Sequence, residues 1–206
     1  MDLRAHSLDL PGGRVLLREN TKADTLDLVL VRDGAETTVR TLTPGQDHVR
    51  AGDLSLRPFS GLLGSSGFLL RNTWGGSGGW GVSTYYALEP AGAVQIAETF
   101  GFGGDHAVDL DGDGVKELVC SCVYGGDGRQ TVLVFQRRAN GVRFGGIDPA
   151  GLPGLDGRDV GSTAAWFDPE RKVFVVRYTV RGRETPGSVT FSGLEHLRFA
   201  PHRPGA

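Results

Sequence analysis

The sequence predicts an all-β protein built from repeated antiparallel units. Apolar residues come in short runs that alternate with period two and are rich in Val, Leu, Phe and Tyr, and a helical period is hard to find. Gly, Asp and Pro separate the runs. Glycine alone takes 33 of the 206 residues, against a usual share of about 7%. A glycine in a helix interior costs roughly 1 kcal/mol, so this composition disfavours a helical bundle. The strand–turn–strand pattern also recurs at about 45–55 residues, the size of one four-stranded propeller blade. The expected architecture is one β domain over residues 1–206 with four blade-like modules, at about 12–58, 59–104, 105–155 and 156–200. A β-sandwich with long Gly-rich turns is the alternative.

The strands follow in order. The first group is Arg14–Arg18, Leu26–Arg32, Thr37–Thr43 and Leu54–Pro58. Gly67–Asn72, Val82–Leu88, Val94–Phe100 and His106–Asp109 come next, then Lys116–Tyr124, Thr131–Arg137 and Val142–Ile147. Ser162–Phe167, Val173–Val180, Ser188–Phe191 and Glu195–Phe199 complete the set. Asp33-Gly34, Ala91-Gly92 and Asn140-Gly141 sit between such runs, where a tight reversal needs positive φ. Ser60-Gly61 and Ser65-Ser66-Gly67 also read as turns.

An internal repeat emerges when the hairpins are aligned. Phe68–Gly78 matches Glu117–Gly128 with a one-residue slip: an apolar strand, an aromatic residue, then Gly-Gly-x-Gly. Segments around Arg14–Leu42 and Gly161–Phe191 keep the hairpin and lose the double-glycine turn. Gly75-Gly76 and Gly125-Gly126 lack the spacing and the Lys-Ser/Thr ending of a phosphate loop, so they read as structural.

Bulk properties exclude several classes. Glycines without a period of three exclude collagen, and abundant apolar residues with a net charge of -2 exclude disorder by composition. No apolar run is long enough for a membrane helix. Basic residues, almost all arginine, are scattered, and a near-neutral total with no basic block argues against a nucleic-acid partner. Met1-Asp2-Leu3-Arg4 shows no apolar segment of a signal peptide. Cys120 and Cys122 fall on one face of a strand, about 6.5–7 Å apart. That is the edge of disulfide reach and poorly directed for it, so two buried thiols are expected.

One constellation carries chemistry. Residues 109–117 read Asp-Leu-Asp-Gly-Asp-Gly-Val-Lys-Glu, with carboxylates at loop positions 1, 3, 5 and 9. Calcium takes six to eight oxygens at about 2.3–2.6 Å, and alternate acids on a tightly wound loop can converge on one ion. Gly114 at position 6 permits the sharp turn, and the Val115 carbonyl supplies a neutral oxygen. An EF-hand needs a bidentate Glu at position 12 and flanking helices. Position 12 here is Cys120, and the segment enters a strand. The expected site is therefore a Ca2+ loop between two strands. Asp24–Asp27 and Asp156–Asp159 are weaker candidates for a second cation.

The run His106–Val119, preceded by Phe102-Gly103, resembles an FG-GAP or VCBS-type repeat. Such repeats form the blades of integrin alpha-chain propellers and of many bacterial surface proteins. The resemblance covers about residues 100–136. It implies that Asp109, Asp111, Asp113 and Glu117 ligate calcium through side chains and Val115 through its carbonyl. Glu117 departs from the commoner Asp. The resemblance also implies an extracellular or cell-surface location, with any signal segment outside this chain and a cytoplasmic place left open.

Catalytic motifs are thin. No Gly-x-Ser-x-Gly elbow or His-Glu-x-x-His helix is present, and His106 reads as a strand or loop residue rather than a base. Trp74 and Trp80 flank a glycine-rich loop and, with Tyr85, form a candidate ligand-binding surface. Packing is the alternative for these rings. The function expected is a non-catalytic, calcium-binding β domain with a structural or interaction role toward a protein or glycan. A carbohydrate-binding or glycoside-hydrolysing domain is the alternative.

Overall fold

The computed structural model describes residues 7–43, 54–74, 80–101, 104–124, 129–148, 151–155, 160–180 and 183–202. Within them the chain is all-β, with sixteen strands in four antiparallel sheets, none of them closed. The chain divides into two compact units, one of residues 1–60 and 65–98 and one of 61–64 and 99–206.

The first unit carries two meanders. Strands β1 (Ser7–Leu10), β2 (Gly13–Asn20), β3 (Thr25–Arg32) and β4 (Ala35–Leu42) pair in sequence order. So do β5 (Leu54–Leu62), β6 (Ser65–Trp74), β7 (Trp80–Glu89) and β8 (Gly92–Gly101). Alternation decides which face packs. Val15 and Leu17 of β2 and Leu26, Leu28 and Leu30 of β3 are buried in one cluster with Leu54, Phe68, Leu70 and Tyr86 of the second sheet. Phe68 and Tyr86 lie opposite one another in register, with stacked rings 5.0 Å apart. Two sheets packed face to face are consistent with the sandwich alternative.

The second unit repeats the plan. Strands β9 (Asp105–Val108), β10 (Glu117–Tyr124), β11 (Arg129–Arg138) and β12 (Gly141–Ile147) form a meander that β16 (Leu197–Pro201) extends by pairing with β12. Strands β13 (Val160–Asp168), β14 (Val173–Val180) and β15 (Arg183–Phe191) form the other sheet. Its core gathers Val119, Val132 and Val134 from the first of these sheets with Ala165, Phe167, Phe174, Val176 and Phe191 from the second.

Every strand except β1 coincides with a segment legible as one in the sequence. Asp33-Gly34 makes the expected reversal, with φ of 50° and 79°. The β5–β6 reversal is different. Ser60-Gly61 and Ser65-Ser66-Gly67 lie inside strands, and the turn is made by Leu63 (φ 51°) and Gly64 (φ 68°). Leu63 is 1% exposed and its amide donates to the Lys116 carbonyl at 2.8 Å. Burial and that bond hold a leucine where sterics disfavour it.

Candidate functional site

Loop 109–116 connects β9 to β10, whose register sets Glu117 opposite Val108. The loop is wound by its own acids. Asp109 accepts from the Gly112 amide through Oδ1 (2.8 Å) and from the Gly114 amide through Oδ2 (3.0 Å). Asp111 Oδ1 accepts from Asp113 N at 3.3 Å, and Asp113 Oδ1 from Val115 N at 2.7 Å. Gly112 (φ 76°) and Gly114 (φ 85°) occupy the left-handed region that makes this winding possible.

The structure brings three of the expected side-chain ligands together. A carboxylate oxygen from each of Asp109, Asp111 and Glu117 lies within 4.8 Å of the others. Asp113 stands outside that group and spends one oxygen on the loop backbone. Val115 is half-buried, with its amide on Asp113.

Glu117 is the unusual member, at 1% exposed. It opens β10 on the face that Val119 buries, because residues two apart share a face. Its Oε2 accepts from the Leu110 amide at 2.8 Å and its Oε1 from Gln136 Nε2 at 3.2 Å. Burial pushes its carboxyl above the ordinary value, and the nearby Asp111 charge adds to the push. The hydrogen bonds from Leu110 and Gln136 oppose it.

Gln136 was not singled out by sequence reasoning. It sits on the buried face of β11 with Val132 and Val134 and is itself 1% exposed. Its Nε2 also donates to Asp111 Oδ2 at 2.8 Å, and its Oε1 accepts from Arg143 Nη2 (2.6 Å) and Nε (3.0 Å). The Arg143 guanidinium lies 4.2 Å from the centre of the Phe199 ring. Arg138 Nη2 approaches Asp111 Oδ2 at 3.4 Å. A polar residue on the inward positions of an apolar strand was the available signal.

The donor set suits a hard cation. Three carboxylates offer oxygens at one point, one of them desolvated, and no sulfur or imidazole joins the group. Asp109, Asp111 and Glu117 would hold the ion, which would supply charge compensation and cross-link the loop to β10.

The other expected sites fare differently. Tyr85 does not form a ligand surface: it is 5% exposed and packs against Phe59 with ring centres 5.9 Å apart. Trp80 is half-buried on β7 and pairs in register with Trp74. The Trp74 side chain, both double-glycine turns and Asp156–Asp159 lie outside the described residues. Asp27 accepts from Thr41 Oγ1 at 2.7 Å, and the Asp109 group is the one cluster of its kind among the described residues. His106 lies on β9, its ring 5.8 Å from that of Phe167.

Cys120 and Cys122 correct the expectation of free thiols: they form a disulfide, with Cα atoms 5.5 Å apart. The strand is shorter here than the ideal pleat assumed from sequence, and that brings the pair within reach.

No protein-family model matches the chain, and no curated protein or solved structure matches it either.

Proposed function

We propose that this chain is a non-catalytic β module that binds one calcium ion in the loop between β9 and β10 and serves a structural or interaction role. The observation that carries the reading is Glu117. It is 1% exposed, with a carboxylate oxygen within 4.8 Å of those of Asp109 and Asp111. An ionised carboxylate in that position is costly alone, and a divalent cation offsets the cost. Asp113 and the Val115 carbonyl complete the proposed ligand set, following the likeness of the loop to FG-GAP and VCBS-type repeats.

The finer architecture we propose is a propeller-like array of four blades. The four-stranded meanders β1–β4 and β5–β8 support it, since each blade of a propeller is an antiparallel meander. The proposed location is extracellular or at the cell surface. Support comes from the Cys120–Cys122 disulfide, because such bonds persist in oxidising compartments. The partner proposed is a protein or a glycan.

Thermal denaturation tests the reading. Ligation of the folded state alone raises stability with free calcium. Calcium should raise the melting temperature of the wild type and leave Asp111→Ala at the value of the chelated protein. Equal melting of the wild type with calcium and with EDTA would overturn it.

A further inference from the structure

The first unit holds a concave feature that shares no residue with the acidic loop. A pocket of about 680 Å³ opens between the β1–β2 turn, β5 and the β7–β8 turn. That volume falls within the range of small-ligand sites. Leu10 and Leu88 line it and belong to or pack against the main core, so its floor is apolar. Pro11, Pro58, Phe59 and Pro90 contribute its walls. Phe59 is backed by the buried Tyr85 ring, and these rigid residues lose little entropy when a ligand seats.

Arg32 is the charged group that defines the pocket's chemistry. It is half-buried, and its Nη1 donates to the Glu89 carbonyl at 2.6 Å and to the Pro90 carbonyl at 3.3 Å. Those bonds fix the guanidinium. They leave Nε and Nη2 without an acidic partner among the described residues. Glu89 also lines the pocket but is exposed, where water and salt screen its charge. A pinned guanidinium beside an apolar floor matches a ligand with an apolar body and one carboxylate, the partner a planar fork binds best.

We propose that this pocket binds a small apolar carboxylic acid, with Arg32 holding the carboxylate and the Pro58, Phe59 and Leu88 side chains covering the body. The proposal does not rest on calcium. It is tested by titrating the labelled protein with hydrocinnamate and with its neutral amide, following backbone amide resonances of Ser60, Gly67 and Leu88. The acid should give saturable shifts with a dissociation constant on the order of 10⁻³ M, the strength expected of a fragment that size. The amide should bind at least about tenfold more weakly, the loss expected when a charge-assisted hydrogen bond is removed. Arg32→Met should weaken the acid to the level of the amide while keeping the dispersed spectrum of the folded chain. Chelation of calcium should leave the shifts unchanged. Absence of saturable shifts, equal binding of acid and amide, or unchanged binding in folded Arg32→Met would overturn the proposal.

Discussion

Gln136 and Glu117, each 1% exposed, meet across β10 and β11 with Nε2 3.2 Å from Oε1. The same Nε2 holds Asp111, and the same amide's oxygen takes two donors from Arg143. One glutamine therefore ties the acidic loop to the arginine side of the sheet. Its conformation is fixed from both ends, so it holds the Glu117 and Asp111 carboxylates in place.

Replacing Gln136 by Leu should leave Glu117 and the Arg143 guanidinium short of a buried partner. The expected loss is about 1–3 kcal/mol of unfolding free energy in the chelated protein. Urea denaturation measures it. A change below the error of the extrapolation would show that the amide is dispensable.

Glu117 gives a pH dependence. Burial raises its folded-state pKa above the ordinary value of 4.5. A raised pKa means the folded chain prefers the protonated form. Its contribution is complete below that ordinary value and is lost as pH rises through the folded value. The stability of chelated wild type should therefore fall as pH climbs from below 4.5. Glu117→Gln should flatten that fall and melt at or above the chelated wild type at neutral pH. A variant that melts well below it would show that the charge is well accommodated without an ion.

The disulfide should matter little to stability. Cys120 and Cys122 close a loop of three residues, themselves included. In the chain-entropy account so short a loop is worth only about 1.6 kcal/mol, against about 3 kcal/mol for a fifteen-residue loop. The Cys120→Ala, Cys122→Ala double variant, which adds no polar atom to these buried positions, should fold and lose no more than about 2 kcal/mol by denaturation. Failure to fold would assign the bond a larger structural part.

Gly67 should tolerate no side chain. A Cβ there would collide with the Tyr86 carbonyl oxygen and lie 2.9 Å from its carbon, both backbone atoms of the neighbouring strand. Gly67→Ala should cost more than about 3 kcal/mol, because neither strand can retreat from a paired register. A loss below about 1 kcal/mol in urea denaturation would contradict that close approach.

The strands were legible because each is a short alternating run between turn formers, and only one core-facing residue set satisfies each alternation. Strand β1 was missed because Ser7–Leu10 offers only Leu8 and Leu10 as its alternation, whereas β9, equally short, is marked by the acidic loop that follows it. The Leu63-Gly64 turn was hidden because leucine is no turn former. Its conformation comes from burial and from the Lys116 carbonyl, which are tertiary facts. In the site, the acidic spacing of 109–117 announced itself. The buried face of β11 did not, since a glutamine after Val132 and Val134 reads as a strand ending rather than as a partner for acids on another strand.

Isothermal titration of the chelator-stripped protein with calcium decides whether the 109–117 loop holds an ion. One ion should bind per chain, with a dissociation constant of about 10⁻³ M or tighter, and Asp111→Ala and Glu117→Gln should give no binding heat. No saturable heat up to about 10 mM calcium, beyond the weakest extracellular sites, or an isotherm unchanged in both variants, would contradict it.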